Sequence, residues 1–495
     1  MDDLGFWCLV FTASVGGFGF LVLILKRANE WYLVSSLGKI QSSVPPGDLG
    51  WPFIGNTLSF LYSLKYGHPD SFVSNYVKRY GQKGICKAYL FGKPTIIATA
   101  PEICRKILTD DTQFKPGWPK STTKLLGRLA FMGSSAEEHK RLRKLTAAPI
   151  SGHKALSMYH EYIKDVVVTS LDEWSKSEEP IEFLTEIRKL TFKIVMHIFL
   201  SSEIGPMLET LEKEYTALNH GLRSMAINLP GFAYHNALKA RKRLVKTLQV
   251  IVDRRRERKE SSLSGEKRDL LDLLLEAEDE TGRKLYDEEI IDIILMYLNA
   301  GHESSAHATM WATLFLHQNP EFYQKAKAEQ EEILKSLSPE NGLSFKETKQ
   351  MEYLSKVIDE TMRVVNISLY TYREATADVN ISGYTIPKGW KVMMWFRGIH
   401  LNPEIYQDPK EFNPSRWNES KVKAGTYIPF GIGSRQCPGS DLTKLEITTF
   451  LHYFLLNYEL ERLNPGCELR YLPHTRPEDN CLANIKKLPS TSSSI

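Results

Sequence analysis

A cysteine near the C-terminus lies in a segment whose residue types suit metal chemistry. The segment reads Phe430-Gly431-Ile432-Gly433-Ser434-Arg435-Gln436-Cys437-Pro438-Gly439. Its glycines permit a tight loop with unusual φ angles, and an amphipathic pattern predicts a helix that starts just beyond it. A helix N-terminus favours an anion, so we expect a lowered pKa for the Cys437 thiol and a thiolate suited to ligate heme iron. The alternative, a buried structural cysteine beside a turn, leaves the glycines and Arg435 unexplained.

A second group of polar residues interrupts an otherwise apolar helix predicted over 287–317. It reads Ala300-Gly301-His302-Glu303-Ser304-Ser305. Polar groups inside a buried helix carry a free-energy cost. The glycine lets the helix open locally, and the acid Glu303 and the alcohol Ser304 can then relay protons as catalytic residues. A zinc-binding H-E-x-x-H helix is excluded because His302 and His307 are five residues apart and diverge around the helix.

These residues must be positioned by a mostly helical body. Amphipathic periodicity predicts helices within six segments: 155–200, 206–222, 235–260, 287–317, 320–337 and 440–457. A segment rich in β-forming residues, 373–400, carries a Pro-x-Gly turn at 387–389. The predicted fold is mainly α with small β-sheets.

The N-terminal segment has the composition of a membrane anchor. Residues 4–25 carry no charge, and as a helix they would span roughly 33 Å, enough for a hydrocarbon core. Lys26 and Arg27 follow directly, which predicts a cytosolic C-terminal side. A cleaved signal peptide would need a positive flank before the apolar run, where the chain has Asp2 and Asp3. We therefore predict an uncleaved transmembrane anchor.

Beyond the anchor we predict a linker with a proline hinge over 26–50 and one globular domain over 51–490. Val44-Pro45-Pro46-Gly47 would form a stiff spacer, although these residues also suit a plain surface loop. The 495-residue chain is 42% hydrophobic and 25% charged, which excludes a largely disordered or coiled-coil protein. A net charge of +4 is too weak to predict nucleic-acid binding, and the basic run 254–259 with the polar run 260–268 suits a solvated helix end. The six cysteines include no C-x-x-C pair, which disfavours a disulfide scaffold or zinc module.

The cysteine segment resembles the heme-binding signature of the cytochrome P450 family, F-x-x-G-x-R-x-C-x-G. The matching residues are Phe430, Gly433, Arg435, Cys437 and Gly439. The resemblance covers the whole chain and implies a single heme-thiolate domain behind a transmembrane helix, with non-covalently bound heme b. It also implies monooxygenation with O2, with electrons from NADPH through the separate flavoprotein NADPH–cytochrome P450 reductase. The chain has no nucleotide-binding glycine motif of its own.

The resemblance assigns structural and cofactor-binding roles to further residues. Glu360 and Arg363 match the family's E-x-x-R pair, and Arg416, from the stretch 412–417, is expected to join them in a buried ion network. The heme propionates are assigned to His139, Arg143, Arg373 and Arg435, with His139 in the place of the family's usual tryptophan. Phe430 is expected to contact the heme.

Two other classes of heme protein are considered beside the monooxygenase. Heme-thiolate isomerases and dehydratases use no oxygen and usually lack the acid–alcohol pair, so Glu303 and Ser304 favour the oxygenase. A membrane-anchored binding protein that uses heme as a sensor would have no need for an acid–alcohol pair, so the presence of Glu303 and Ser304 favours the oxygenase over this class as well.

A finer resemblance is to plant ent-kaurenoic acid oxidases, through the blocks 45–52, 114–119, 143–149, 300–305 and 471–477. Those enzymes oxidise a diterpenoid acid towards gibberellins at the endoplasmic reticulum, and relatives with the same blocks oxidise triterpenoids. This chain departs from the diterpenoid enzymes in segment 365–372 and at Ala306 and Ala308. The small side chains of Ala306 and Ala308 would make room for a larger substrate skeleton. We therefore expect a slight preference for a tetracyclic triterpenoid, with ent-kaurenoic acid as the alternative.

The substrate is expected to be lined by Ala300, Ala306, Asn366 and Leu369. The pocket should be mostly apolar. The amide of Asn366 suits a neutral hydroxyl better than a carboxylate, although Asn366 is equally suited to cap a turn.

Overall fold

The computed structural model describes residues 2–38, 41–81, 83–201, 207–222, 224–260, 269–337, 342–418, 423–472 and 474–489. Most of the polar run 260–268 therefore lies outside the described residues. The helices are α1 (Asp2–Val34), α2 (Thr57–Lys65), α3 (Pro69–Tyr80), α4 (Pro101–Thr109), α5 (Lys120–Leu126), α6 (Ala136–Ser151), α7 (His153–Ser175), α8 (Phe183–Leu200), α9 (Leu208–Leu222), α10 (Ala233–Glu260), α11 (Leu270–Glu276), α12 (Asp287–Gln318), α13 (Pro320–Ser336), α14 (Phe345–Thr348), α15 (Glu352–Val365), α16 (Phe396–His400) and α17 (Ser440–Asn457). The strands are β1 (Ile85–Leu90), β2 (Lys93–Ala98), β3 (Phe114–Pro116), β4 (Ile181–Glu182), β5 (Tyr370–Ala375), β6 (Val379–Ile381), β7 (Tyr384–Ile386), β8 (Lys391–Trp395), β9 (Tyr458–Arg462), β10 (Leu469–Arg470), β11 (Arg476–Pro477) and β12 (Leu482–Lys487).

The first of two compact units comprises residues 1–117, 368–405 and 424–428. Its five-stranded sheet has the order β1-β2-β8-β5-β3, with β2 and β8 parallel and the other pairs antiparallel. The predicted turn between β7 and β8 is present: Gly389 has φ +79°, and the Trp390 N–H donates to the Pro387 carbonyl at 3.1 Å. The β-rich segment ends earlier than predicted, because residues 396–400 form α16.

The N-terminal helix α1 belongs to this first unit. In the described part of the chain, its residues Phe6–Val34 form the one helix that is long and apolar enough to span a membrane. The helix continues past Leu25 to Val34, so the first part of the predicted linker is helical.

The second unit comprises residues 118–367, 406–423 and 429–495. The segment 155–200, predicted to be helical, contains two helices, because α7 ends at Ser175 and α8 begins at Phe183. Pro180 lies between them, and proline disfavours the helical conformation of the residue before it. The short strand β4 that follows joins a three-stranded sheet of order β4-β12-β9, in which Ala483 pairs with both Ile181 and Arg462.

Helix α12 is the central helix of the second unit and is buried along most of its length. It packs against α8, α15 and α17. Three acidic residues in its first turn suit the positive end of the helix dipole. The Glu289 carboxylate also accepts the Tyr286 N–H at 2.8 Å, which fixes where the helix starts.

Candidate active site

The cysteine loop is held by backbone geometry that its glycines make possible. Gly431 and Gly433 have φ +71° and +79°, a region that other residues rarely adopt. A 3₁₀ turn over Gly433–Arg435 follows, and the Cys437 N–H donates to the Phe430 carbonyl at 2.8 Å. Cys437 is thus placed just before α17, which begins at Ser440.

Burial dominates the electrostatics of the Cys437 sulfur. It raises the pKa of the thiol above its ordinary value, and the Gly439 N–H and the charge of Arg143 only partly offset it. The prediction of a lowered pKa is therefore wrong for the chain by itself, since the helix starts three residues beyond the cysteine and desolvation is the larger effect.

Helix α6 carries two of the residues assigned to the cofactor. His139 is buried, with its ring centroid 5.4 Å from that of Phe131. Arg435 from the cysteine loop donates to the Phe131 carbonyl at 3.4 Å. Arg143 lies one turn after His139, and its positive charge lowers the pKa of the Cys437 thiol. The structure therefore gathers His139, Arg143 and Arg435 near the loop, and their role towards the heme propionates stays a prediction.

Arg373 and Leu369 lie in the first unit. Arg373 is buried on β5, where it pairs in register with Val392 and Pro116. Leu369 is buried, and its carbonyl accepts the Arg397 N–H at 3.3 Å. Their roles towards propionate and substrate stay predictions.

The predicted ion network is present in the second unit. Glu360 and Arg363 are both fully buried on α15, joined by two hydrogen bonds of 2.8 Å. Arg416 donates to Glu360 at 3.2 Å, and the Trp417 indole donates to it at 3.1 Å. Arg363 also donates to the Pro409 carbonyl at 2.7 Å. The network ties α15 to the segment 409–417.

Glu303 on α12 faces a cation on α8. Arg188 Nε lies 3.2 Å from Glu303 Oε2, and Arg188 Nη2 lies 3.4 Å from His307 Nε2. His307 Nδ1 is 2.7 Å from the Glu303 carbonyl. Because arginine can only donate, His307 Nε2 is assigned as the acceptor and Nδ1 as the protonated nitrogen. Burial lowers the pKa of His307 well below its ordinary value, and His474 and Arg188 lower it further, so the ring is neutral.

Ser304 lies on the accessible face of the otherwise buried helix. Ala300 is exposed, and Gly301 and Ser304 are half-buried, in contrast to the buried residues that follow. The Ser304 hydroxyl donates to the Ala300 carbonyl at 2.6 Å. Ala306 is fully buried in the core. Its side chain lies on the opposite face of the helix from Ser304, because it is two positions further along, and its assignment as a substrate-lining residue stays a prediction.

Asn366 caps a helix. It is the left-handed residue after α15, with φ +54°, and its side-chain N–H donates to the Arg363 carbonyl at 2.7 Å. It is also buried. The structure therefore favours the turn-capping interpretation over an amide that orients substrate, since the side chain is used to satisfy a carbonyl at the helix end.

Sequence reasoning missed Arg188, His307, His474 and Glu446. His474 Nδ1 lies 2.7 Å from the Ile367 carbonyl, and its ring centroid is 4.8 Å from that of His307. Glu446 on α17 is buried, and burial raises its pKa to about 8. A charged residue type inside the apolar pattern of α17 was the available signal for Glu446. Arg188 has no such signal, because its partner is distant in sequence.

The residues present fit a heme held through a cysteine thiolate. Among the described residues, no cluster of three or more His, Cys, Asp or Glu side chains could hold a bare metal ion. A single soft ligand suits a metal whose other ligands come from a porphyrin. Histidine and arginines beside the loop supply donors for carboxylates, and all six cysteines are free.

Comparison with known proteins agrees with this geometry. The model of the family described as Cytochrome P450 matches residues 45–474. The chain belongs to the cytochrome P450 family. It is 56% identical to ent-kaurenoic acid oxidase 2 of Arabidopsis thaliana over 98% of this chain and 99% of that protein. It is 53% identical to 7,8-epoxymelianol synthase of Ailanthus altissima, over 98% of each chain.

The fold of this P450 is also found among solved structures. It resembles the retinoic acid-bound cyanobacterial CYP120A1 with a TM-score of 0.81 and 28% identity, covering 91% of this chain and 100% of the other. Cytochromes P450 are heme-thiolate monooxygenases, so this P450 is an enzyme whose cofactor is heme b. The predictions of a mainly helical P450 fold and of its cofactor are confirmed.

Proposed function

We propose that this P450 is a membrane-anchored monooxygenase that oxidises a neutral polycyclic terpenoid, with a tetracyclic triterpenoid as the preferred class. The supporting observation is the segment 364–372, which leads from the end of α15 into β5 and has no cationic side chain. A carboxylate substrate would need a cation or several donors near it. The matched relatives include an oxidase named for ent-kaurenoic acid and a synthase named for 7,8-epoxymelianol.

A second candidate is oxidation of ent-kaurenoic acid. The specific observation in its favour is the identity of 56% to an ent-kaurenoic acid oxidase, against 53% to the epoxymelianol synthase. The correction at Asn366 removes one argument for the triterpenoid, while Ala308 remains a small residue one turn after Ser304 on α12.

In this proposal the Cys437 thiolate would bind the heme iron, and Phe430 would contact the heme. His139, Arg143, Arg373 and Arg435 would each donate hydrogen bonds to a heme propionate. When bound, a thiolate-ligated heme supplies electron density that favours O–O bond cleavage. Glu303 and Ser304 hold and pass protons from α12, and Arg188 with His307 holds the Glu303 carboxylate in place. Ala300 lines the accessible face of the helix.

The same proposal covers partners and location. Residues 4–25 anchor the chain in the endoplasmic reticulum membrane in a single pass, with the catalytic domain in the cytosol. Electrons come from NADPH–cytochrome P450 reductase, because the sequence carries no flavin- or nucleotide-binding motif of its own.

The test is expression with a plant reductase and product analysis from ent-kaurenoic acid and from several neutral tetracyclic triterpenoids. We expect NADPH-dependent products and substrate-binding spectra with triterpenoids, and weak or absent turnover of ent-kaurenoic acid. Equal heme content, measured as the reduced carbon monoxide complex, is the control for each preparation. Strong turnover of ent-kaurenoic acid without any triterpenoid product would establish the second candidate instead.

A further inference from the structure

A histidine between β10 and β11 lies against the middle of α12. The ring of His474 is half-buried, and its centroid lies 4.8 Å from that of His307, which is fully buried. His474 Nδ1 lies 2.7 Å from the Ile367 carbonyl oxygen. The indole of Trp311 on α12 donates to the Thr475 carbonyl at 2.7 Å. These hydrogen bonds hold the His474 ring against His307.

The relay acid Glu303 is largely shut off from solvent. It is only 9% exposed, and Arg188 from α8 lies 3.2 Å from its carboxylate. Monooxygenation reduces one atom of O2 to water, which takes up protons as well as electrons. The electrons come from the reductase, whereas the protons must come from solvent. A buried relay acid therefore needs proton-exchanging groups that lead towards the surface.

His307 lies between His474 and Glu303. Its Nδ1 lies 2.7 Å from the Glu303 carbonyl oxygen and 3.8 Å from Oε2 of the Glu303 carboxylate. An imidazole can take up a proton on one nitrogen while it releases a proton from the other. Burial, followed by His474 and Arg188, holds the pKa of His307 well below its ordinary value. The ring is therefore suited to pass a proton on and not to keep it.

The charged groups around this pair of rings come from three elements. Arg188 from α8 and Glu303 from α12 flank His307. On β11, Arg476 Nη1 donates to the Leu472 carbonyl at 2.8 Å. The cation of Arg188 disfavours a resting imidazolium at His307, while the carboxylate of Glu303 attracts the proton. The electrostatics therefore favour transfer of a proton from His307 to Glu303.

We propose that His474 and His307 form the path by which solvent protons reach Glu303. The inference rests on the proposed function, in which Glu303 is the relay acid. Water gives a proton to His474, His474 gives a proton to Nε2 of His307, and His307 gives its Nδ1 proton to the Glu303 carboxylate. Both rings end neutral, and Glu303 gains the proton that the water lost. His307 then carries its hydrogen on Nε2, and half a turn of the ring restores the starting tautomer.

The test uses the full-length holoenzyme with a plant reductase and with whichever of ent-kaurenoic acid and the neutral tetracyclic triterpenoids it oxidises. His474→Asn and His307→Asn each keep an N–H donor near the place of Nδ1, facing the carbonyl partner, and remove the ring that exchanges protons. His317→Asn, at an exposed histidine in the last turn of α12, is the matched control. Product, NADPH and peroxide are measured in light and heavy water, at several values between about pH 6 and 8.

We expect His474→Asn to lower the product formed per NADPH consumed by about 10-fold, less than the loss of Glu303 itself, because water can still bring protons to His307. The loss should deepen as pH rises, since delivery then depends on free hydronium. Product formation should also slow more in heavy water than it does in the wild type. His307→Asn should show the same three changes, and His317→Asn should show none. The reduced carbon monoxide complex checks the heme content of each variant.

Wild-type product per NADPH in His474→Asn and His307→Asn, with Glu303→Ala impaired, would disprove the entry path and leave the relay role of Glu303 standing. If His307→Asn bound no heme, His474→Asn alone would decide. A loss that is the same at every pH and in heavy water would also overturn the path, because the two histidines would then only position Glu303. If Glu303→Ala formed as much product per NADPH as the wild type, the proposed relay would fail, and this inference with it.

Discussion

The guanidinium of Arg188 on α8 faces the carboxylate of Glu303 on α12, with Nε 3.2 Å from Oε2. The same guanidinium reaches the neutral ring of His307, which in turn bonds to the Glu303 carbonyl. The proposed proton-relay acid is therefore held at both its side chain and its backbone. Arg188 and His307 act as positioning residues for Glu303.

Replacing Arg188 by leucine should lower the product formed per NADPH consumed, because Glu303 loses the partner that orients it. We expect partial rescue in Arg188→Lys, which keeps the charge without the forked geometry. Lys189→Leu, at the neighbouring exposed position, should form as much product per NADPH consumed as the wild type does. The measurement is product, NADPH and peroxide in one reaction, repeated across pH. If Arg188→Leu formed as much product per NADPH as the wild type, with the same dependence on pH, Arg188 would have only a structural role.

Glu303→Ala and Ser304→Ala should reduce product formation by roughly 100-fold or more, within the usual range for general acid–base groups, and should raise peroxide release. Thr309→Val is the matched control, because the Thr309 hydroxyl also bonds a carbonyl four residues earlier, at 2.9 Å. If both Glu303→Ala and Ser304→Ala formed as much product per NADPH consumed as the wild type, a proton relay through this pair would be excluded.

Cys437→Ala should abolish the thiolate-type spectrum of the reduced carbon monoxide complex, since this cysteine alone is placed in the glycine loop before α17. Cys467→Ser should leave the spectrum intact, because Cys467 lies outside that loop. An unchanged spectrum in Cys437→Ala would remove the assignment of the axial ligand.

Glu360→Gln should destabilise the fold by about 3–5 kcal/mol, because two arginines would lose a buried carboxylate partner. The free energy of unfolding in guanidinium chloride measures this loss. Glu321→Gln breaks an exposed pair with Lys325 and should change stability by less than about 1 kcal/mol. Equal effects of the two substitutions would mean that the buried network contributes no more than a surface pair.

Glu446 should make the protein less stable as pH rises from 6.5 to 8. Its folded pKa of about 8 lies above the ordinary 4.5, so the folded state keeps a proton that the unfolded state has lost. The contribution of Glu446 to the free energy of unfolding is fully present below pH 4.5. It is lost as pH rises to about 8, by at most about 1.4 kcal/mol per pH unit. His452, with a pKa lowered to about 4 by burial, acts in the opposite direction only below its ordinary value of 6.5.

Thermal unfolding at several values between pH 6.5 and 8 measures this slope. Glu446→Gln should remove it, while Glu459→Gln, an exposed acid on β9, should retain it. A wild-type slope in Glu446→Gln would show that another group carries the titration.

Short-range patterns in the sequence were sufficient for much of this protein. The glycines around Cys437, the apolar periodicity of α12 and the spacing of Glu360 and Arg363 each predicted a feature that the structure contains. They succeed because backbone conformation and helical faces are local properties. The helix break near Pro180 was missed because an amphipathic pattern persists on both sides of it.

Which side chains meet was decided only by the tertiary structure. The partner of Glu303 comes from α8 and that of Asn29 from residues 49–51, and no local pattern links either pair. The Cys437 pKa was mispredicted, and the two alternatives for Asn366 were left open, for the same reason: burial and the direction of a side chain depend on the elements packed around it. Residue types and their spacing determine which chemical groups the chain offers. Desolvation and long-range contacts determine the pKa values and the partners of those groups, and therefore which of them can act.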